Sequence, residues 1–224
     1  MTPDDQATIN LLGLRLPWKA TTVIILSTLL LIVDYYYQTP IWTGSGTFGA
    51  RLLGTAYFHL ILYLVIPMAV VLLAFRERPA AYGFTLGKWR EGVKWTLIVW
   101  AAAIPILYFA GRTPDMVLYY ARYDQPLGQM LLTNALELFS WEFFFRGFIL
   151  FALLRVAGPS AVVLQAVPFA MAHVGKPFLE TISTIFGGTL FGWVAWRSES
   201  FLYSFFIHWF IMSFVVVVAL MAFR

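Results

Sequence analysis

The chain has 224 residues, of which 61% are hydrophobic and only 12% are charged, and it contains no cysteine. A soluble domain of this length buries only about 70% of the area that its unfolded chain exposes, so it could not hide so much apolar surface. The composition therefore excludes a soluble globular protein. The absence of cysteine excludes disulfides and a cysteine-ligated zinc site. The basic residues are scattered through loops, which argues against a nucleic acid partner.

Apolar segments long enough to cross a bilayer follow one another along the chain. A transmembrane helix needs about 20 mainly apolar residues. The seven candidates run approximately from Ala20 to Tyr36, Leu52 to Phe75, Val93 to Ala110, Leu131 to Val156, Pro159 to His173, Thr181 to Trp196, and Phe201 to Phe223. The fifth and sixth are short, and we expect them to be tilted or partly re-entrant. The sequence thus predicts an all-α, polytopic transmembrane bundle of about seven spans.

No linker or internal repeat divides the chain, so residues 1–224 are interpreted as one integral membrane domain. Residues 1–128 would hold the N-terminal spans and an amphipathic interfacial segment, residues 112–128, which carries Met116, Val117, Tyr119 and Tyr120. Residues 129–224 would form the core that carries the site. The acidic N-terminus shows no cleavage site, so the first span should remain as an anchor. With seven spans, nine basic loop residues against five favour a cytoplasmic N-terminus.

Ionisable residues inside the predicted spans are concentrated in the C-terminal half of the chain. Such residues cost at least about 2.5 to 3.5 kcal/mol each at the bilayer centre, which makes them a functional hypothesis by default. The set comprises Glu137, Glu142, Arg146, His173, Glu180 and His208. On a helix, Glu142 and Arg146 share a face with the acid on the N-terminal side, so Arg146 could keep Glu142 ionised.

A carboxylate and two imidazoles in one pocket could activate water as a general base and stabilise an oxyanion. No serine lies in a GxSxG turn, which argues against a serine protease. No HExxH motif is present, although Glu142, His173, Glu180 and His208 could in principle hold zinc from three or four helices. The sequence itself requires no cofactor, and a zinc ion remains possible.

The polar turn from Gly175 to Glu180 would form the mouth of a water-filled cavity.

Several other features have structural interpretations. His59, alone in the second span, is expected to be a core or interfacial donor, and Asp34 with its neighbouring tyrosines is typical of an aromatic belt. Gly188 and Gly192 form a GxxxG pattern that close packing of two helices would explain. The run from Phe143 to Phe145 is expected to be lipid-facing or core surface.

Three motifs in order resemble the CPBP family of CAAX proteases and bacteriocin-processing membrane proteins, which includes the type II CAAX prenyl endopeptidases. The family's EExxxR is matched by Trp141, Glu142 and Arg146 in WEFFFRG, and its FxxxH by Phe169 and His173 in FAMAH. Its late histidine, followed four residues later by Asn or Asp, is matched by His208. The resemblance covers about residues 130 to 215, and the N-terminal spans are interpreted as generic.

The resemblance implies an intramembrane endopeptidase with a four-helix catalytic core, in which Glu142 and His173 activate water. Arg146 would orient Glu142, Glu180 would assist and pair with His173, and His208 would stabilise the oxyanion. The stretch HVGKPFLE is similar to a bacterial branch of the family, which implies a bacterial inner membrane protein. Its partners would be the lipid bilayer and a peptide or protein substrate in or near the membrane.

Two positions depart from the family pattern. Trp141 replaces the first glutamate of the pair, so Glu142 could act as the base, Glu137 could present a carboxylate one turn earlier, or proteolysis could be lost. Met212 replaces the Asn or Asp, and Ser204 or Ser213 could partly substitute for it. The alternative function is therefore a non-proteolytic CPBP-fold protein that acts as an immunity factor, scaffold or chaperone. A proton-coupled transporter is less favoured because no inverted repeat is present.

Overall fold

A computed structural model describes residues 7–42, 48–123 and 125–224 of the chain. The helices are α1 (Trp18–Trp42), α2 (Phe48–His59), α3 (Ile66–Ala69), α4 (Trp89–Ala110), α5 (Pro114–Tyr120), α6 (Leu127–Glu142), α7 (Leu150–Ala157), α8 (Ala161–Leu164), α9 (Ala166–Met171), α10 (Phe178–Ser198) and α11 (Leu202–Phe223). Segments of π-helix occupy Leu60–Val65, Val70–Ala74 and Phe143–Ile149, and short 3-10 turns occupy Pro79–Tyr82, Ala121–Tyr123 and Gly158–Ser160.

A small β-hairpin precedes the first helix and was not predicted from the sequence. Strands β1 (Thr8–Leu11) and β2 (Leu14–Pro17) pair antiparallel. Leu12 and Gly13 form the two-residue connection, and both have positive φ angles, of 51° and 85°. Such a connection matches the twist of the strands that it joins.

Six helical stretches in the described part of the chain are long and apolar enough to cross a membrane. They are Trp18–Tyr37, Leu52–Ala74, Trp89–Ala110, Leu127–Met171, Phe178–Ser198 and Leu202–Phe223. The predicted all-α polytopic membrane bundle is thereby confirmed. The number differs from about seven because the fourth and fifth predicted segments belong to one helical stretch. The sixth predicted segment is not short, since α10 has 21 residues.

The long stretch Leu127–Met171 reverses its direction at the turn Gly158–Ser160. Trp141 contacts His173, with ring centroids 5.8 Å apart, and Phe145 contacts Phe169 at 5.2 Å. Four residues forward on the first arm thus correspond to four residues backward on the second, so the arms are antiparallel. The second arm, residues 161–171, is about 16 Å long and cannot cross a bilayer core of about 30 Å. The fifth predicted segment is therefore too short to span the bilayer by itself, and its re-entrant placement stays a prediction.

The predicted amphipathic segment contains the helix α5, which packs on the bundle. Met116 and Tyr120 are buried against Val215 and Val216 of α11, whereas Leu118 is exposed. The inward residues are four apart, as one face of a helix requires. This face fixes α5 beside the end of the bundle where α6 begins.

Four polar side chains form a cluster at the other end of the bundle, away from the start of α6. Glu77 accepts hydrogen bonds from Lys19 at 3.1 Å, from Arg155 at 2.7 and 2.9 Å, and from the Tyr82 hydroxyl at 2.6 Å. Burial alone would raise the pKa of Glu77, but these donors outweigh it and lower the pKa below its ordinary value. The carboxylate therefore holds α1, α7 and the turn around Tyr82 in one arrangement.

This cluster predicts how stability depends on pH. Because the pKa of Glu77 is lower in the folded protein than in the unfolded chain, its contribution is present above the unfolded pKa of about 4.3 and is lost as pH falls through the folded pKa. Denaturant unfolding in detergent at several pH values should therefore show Glu77→Gln to be less stable than the wild type at pH 7. The difference should shrink below about pH 4. A difference that does not change with pH would contradict the assignment.

Candidate active site

The helix that carries Glu142 and Arg146 runs through the centre of the bundle. Glu142 is the last residue of α6, and Arg146 lies in the π-helical segment Phe143–Ile149. Every residue from Trp141 to Leu150 is buried. The aromatic run Phe143 to Phe145 is therefore core rather than lipid-facing surface: Phe143 packs on Phe201, and Phe144 packs on Tyr63. Such π-helical segments frequently occur at functional sites.

Glu142 connects two of the predicted site residues. Its Oε1 accepts a hydrogen bond from Arg146 Nη1 at 3.0 Å and another from His208 Nδ1 at 2.7 Å. The side chains of Glu142 and Arg146 are both 0% exposed. Its second oxygen, Oε2, is buried without a hydrogen-bond partner in the described part of the chain. Since a carboxylate only accepts, His208 carries a proton on Nδ1 and presents Nε2 on its other side.

Arg146 also reaches α9 and α10. Its guanidinium stacks 3.9 Å from the centroid of Phe169, and Nη2 donates to the Gly188 carbonyl at 3.3 Å. Gln165 donates to the same carbonyl at 2.8 Å. The arginine therefore binds together the three elements that bring Glu142, Phe169 and α10 to one place. Arginine suits this role because its planar group can stack and donate several hydrogen bonds at once.

The glycines of the GxxxG pattern allow this close approach. A Cβ atom at Gly188 would lie 2.8 Å from the Phe169 ring, and one at Gly192 would lie 3.2 Å from the Val162 carbonyl oxygen. The interpretation of Gly188 and Gly192 as a helix-packing surface is therefore confirmed.

We expect Gly188→Ala to destabilise the protein and to disturb the site, because the added methyl group must displace the Phe169 ring, on which the Arg146 guanidinium stacks. Overpacking of this kind typically costs about 1 to 3 kcal/mol. Unfolding in detergent measures the loss. Gly187→Ala is the matched control, since a Cβ atom at Gly187 meets nothing within 4 Å. Equal stability of the two variants would contradict the packing role of Gly188.

His173 lies in the turn that follows α9 and faces the same centre. Its Nδ1 is 2.8 Å from the carbonyl oxygen of Phe169, and its ring centroid is 6.4 Å from that of His208. Because a carbonyl only accepts, Nδ1 carries the proton and Nε2 keeps its lone pair. Burial, together with the charge of Lys176, holds the pKa of His173 well below its ordinary value. His173 is thus neutral at physiological pH and can accept a proton at Nε2.

Glu180 does not make the expected pair with His173, so that prediction is wrong. Its Oε2 accepts from the Tyr120 hydroxyl at 2.6 Å, and its Oε1 accepts from Lys176 Nζ at 3.0 Å. The carbonyl of His173 instead accepts from the Thr181 hydroxyl at 2.8 Å. Glu180 lies in the first turn of α10 and faces α5, whereas Gly188, the α10 residue beside Phe169, lies about two turns further along. It fastens α5 to the turn between α9 and α10.

Three residues near Trp141 were not predicted to belong to the site: Asp34, His59 and Tyr63. The Trp141 indole donates to His59 Nδ1 at 3.1 Å, and His59 Nε2 lies 2.9 Å from Asp34 Oδ1. Tyr63 donates to the other oxygen of Asp34 at 2.7 Å, and the carboxylate of Glu137 lies 3.4 Å from His59 Nδ1. Asp34 therefore faces the bundle, and its interpretation as part of an aromatic belt is wrong. His59 is fully buried, as expected of a core residue.

The position of the missing amide is not filled by the candidate serines. Met212 packs in the apolar cluster that contains Tyr120 and Val216. Ser213 accepts from the Asn134 amide at 3.3 Å, and Ser204 donates to the Phe191 carbonyl at 2.8 Å. Both serine hydroxyls are thus engaged elsewhere, and the ring of His208 is the one of these candidate groups that lies beside His173.

The described residues do not fit a metal ion. Within residues 7–42, 48–123 and 125–224, no group of three or more His, Asp or Glu side chains is arranged to hold one. The Glu142 oxygen that contacts His208 also contacts the Arg146 cation, and a cation at this oxygen disfavours a second one.

An open pocket of about 550 Å³ lies between the start of α6 and the end of α11. Its lining residues are Gln125, Pro126, Leu127, Met130, Val217, Leu220, Met221 and Arg224. None of the predicted site residues lines it, so the charged centre and this pocket are separate features. The predicted mouth at Gly175 to Glu180 stays a prediction.

Comparison with known proteins gives one family. The family model described as type II CAAX prenyl endopeptidase Rce1-like matches residues 123–214. This range holds all five predicted site residues, and the match confirms the resemblance found in the sequence. No curated protein and no solved structure matches the chain. The part of the chain that is similar to the type II CAAX prenyl endopeptidase Rce1-like family, residues 123–214, thus holds Glu142, Arg146, His173 and His208 around one buried centre.

Proposed function

We propose that this membrane protein is an intramembrane endopeptidase that hydrolyses a peptide bond in a membrane-associated substrate. At the level of the family, a CAAX-type membrane protease is supported. The observation that carries the proposal is that two imidazole rings lie side by side, one able to accept a proton and the other able to donate a hydrogen bond. His173 offers a lone pair at Nε2, and His208 can offer an N–H, in a centre whose charge is balanced by Glu142 and Arg146.

In the proposed reaction, His173 Nε2 removes a proton from water as the oxygen bonds to the scissile carbonyl carbon. The carbonyl oxygen becomes an oxyanion, to which His208 donates from Nε2 in the form that carries a proton on each ring nitrogen, with the Nδ1 proton bonded to Glu142. Collapse of this tetrahedral species breaks the C–N bond, and the leaving nitrogen takes the proton back from His173. Glu142 keeps the proton of His208 on Nδ1, and its second oxygen orients the water. Arg146 balances the charge of Glu142 throughout.

A peptide-cleavage assay in nanodiscs tests this function. The probes are a quenched-fluorescent peptide with a C-terminal Cys-aliphatic-aliphatic-X sequence and the same peptide carrying a farnesyl group on the cysteine. Mass spectrometry locates the broken bond. We expect the wild type to cleave at least one probe, and Glu142→Gln and His173→Ala to cleave far more slowly. Unchanged cleavage in both variants would remove this mechanism.

A non-proteolytic role is the second candidate, because Trp141 and Met212 stand where the family pattern has polar side chains. In that case the charged centre would serve packing and partner binding. Intact probes with the wild type, together with equal binding of a probe by the wild type and His173→Ala, would favour this alternative.

We expect cleavage to be independent of metal ions, because the described side chains offer no group of three suited to one. The rate should change by less than about twofold after dialysis against EDTA or 1,10-phenanthroline, since the proposed base is an imidazole and not a metal-bound water. Elemental analysis of the same preparation is the control. Loss of cleavage that added zinc restores would contradict the proposed mechanism.

A further inference from the structure

A second polar cluster lies beside the site and belongs to helices outside the matched range. Asp34 comes from α1, His59 ends α2, and Tyr63 lies in the π-helical segment that follows it. Their side chains form a continuous chain of hydrogen bonds, from Tyr63 to Asp34, from Asp34 to His59, and from His59 to Trp141. Such groups are costly in a membrane unless every member has a partner. The chain of bonds satisfies each of them and ends on the catalytic helix.

The direction of each hydrogen bond follows from its donors. An indole N–H only donates, so His59 Nδ1 must accept and its proton must sit on Nε2, where Asp34 accepts it. The Asp34 carboxylate thereby selects the tautomer of His59 that can bind Trp141. The Glu137 oxygen is 3.4 Å from the same nitrogen, beyond the usual range for this bond. At Nδ1, the hydrogen bond of His59 is therefore the one from Trp141.

Trp141 stands between this cluster and the proposed base. Its ring lies edge-on to His59, with centroids 5.6 Å apart, and edge-on to His173, with centroids 5.8 Å apart. It also contacts Phe169, which packs on His173 at 4.5 Å. The rotation of the indole is fixed by its bond to His59, and one wall around the His173 ring is fixed by the indole.

We propose that Asp34 and His59 are positioning residues of this site, which hold the His173 imidazole in place through Trp141. The inference rests on the proposed protease function for its kinetic consequences. It assigns a role to α1 and α2, which were interpreted as generic spans. It also proposes a role for Trp141, which stands where the family pattern has a glutamate. The indole forms one wall of the site, and its buried N–H needs an acceptor, which His59 supplies.

The chain has only three histidines, so nitrogen-15 NMR of histidine-labelled protein in nanodiscs can follow each ring. In the wild type we expect His59 to be protonated on Nε2 and His173 on Nδ1. In Trp141→Phe, which keeps an aromatic ring but removes the N–H, we expect the ring nitrogen signals of His173 to shift, because the ring moves relative to the Phe169 carbonyl that binds its Nδ1 proton. His59→Phe should do the same, and the double variant should equal either single one because all three lack the same bond.

The kinetic arm uses the cleaved peptide probe. Trp141→Phe should lower kcat about 10- to 100-fold with KM little changed, as expected when a catalytic group is displaced by up to about an ångström. Trp100→Phe is the matched control, because it removes an indole bond to the Phe206 carbonyl on another face of the bundle. It should leave kcat and the His173 signals unchanged.

Three outcomes would overturn the positioning role: an unchanged His173 spectrum in Trp141→Phe, additive losses of kcat in the double variant, or an equal loss in Trp100→Phe. If His59→Phe does not fold, Trp141→Phe alone decides the proposal. If the wild type cleaves no probe, the proposed function fails, whereas the NMR arm still supports or rejects the coupling of His59 to His173.

Discussion

His173→Ala should lower kcat for peptide cleavage by about 10² to 10⁴, the contribution that a general base typically makes. The structure gives the reason, because the Phe169 carbonyl fixes the proton of His173 on Nδ1 and leaves Nε2 to accept. The side chain is buried, but its removal cuts few tertiary hydrogen bonds, so the fold should survive. The loss should appear in kcat more than in KM. Steady-state kinetics with the quenched peptide measure it.

The pH dependence of kcat/KM provides a second test of His173 as the base. Burial and the Lys176 charge lower the pKa of His173, so its base form persists below the ordinary histidine pKa of about 6.5. Wild-type kcat/KM should therefore stay high at pH 6 and fall only at lower pH. Lys176→Met removes one cause of the shift, and the acid limb should move upward. A profile unaffected by Lys176→Met, or a His173→Ala variant that retains full activity, would contradict the assignment of His173 as base.

Much of the fold could be predicted from the sequence because lipid imposes simple rules. Long apolar runs must become helices, since only helices satisfy their own backbone in a bilayer. The hairpin before α1 was missed because its short alternating strands lie beside a much stronger apolar signal. The reversal at Gly158 lies between the fourth and fifth predicted segments, but the orientation of the return arm is given only by contacts such as that of Phe145 with Phe169.

Only part of the site could be predicted from the sequence. Glu142 and Arg146 were recognisable because their spacing of four puts them on one helical face, and the structure joins them. The contact of Asp34 with His59 spans 25 residues and that of His59 with Trp141 spans 82. No local pattern encodes such distances. A lone histidine opposite a lone aspartate in the preceding span was the only available signal, because each needs a partner in an apolar bundle.

Glu180 illustrates the limit of reasoning from adjacency. It follows His173 by only seven residues, and a short turn between them suggested a pair. A residue in the first turn of a helix can face several directions, and here Lys176 and Tyr120 lie on the side that Glu180 faces. The direction in which Glu180 faces around the axis of α10 therefore determined its partners, and that direction depends on how α10 packs on α9.

Arg146→Met should be the most destabilising single change at the site. The Arg146 and Glu142 side chains are fully buried, so removal of the guanidinium leaves a carboxylate with only His208 as a partner. Breaking a buried ion pair by removing one member typically costs about 3 to 5 kcal/mol. The methionine also loses the hydrogen bond to the Gly188 carbonyl. Denaturant unfolding in mixed micelles should show this loss, and peptide cleavage should be abolished.

The double variant Glu142→Leu with Arg146→Met separates charge from packing. It removes both buried charges, so it should be more stable than Arg146→Met alone while remaining inactive, because His208 then lacks the carboxylate that accepts from its Nδ1 and holds its ring in place. Lys88→Met is the matched control: it breaks the Lys88 pair with Glu199, whose side chains are 59% and 58% exposed, and should cost less than about 1 kcal/mol. If Arg146→Met lowered the free energy of unfolding no more than Lys88→Met does, the buried ion pair would not stabilise the site.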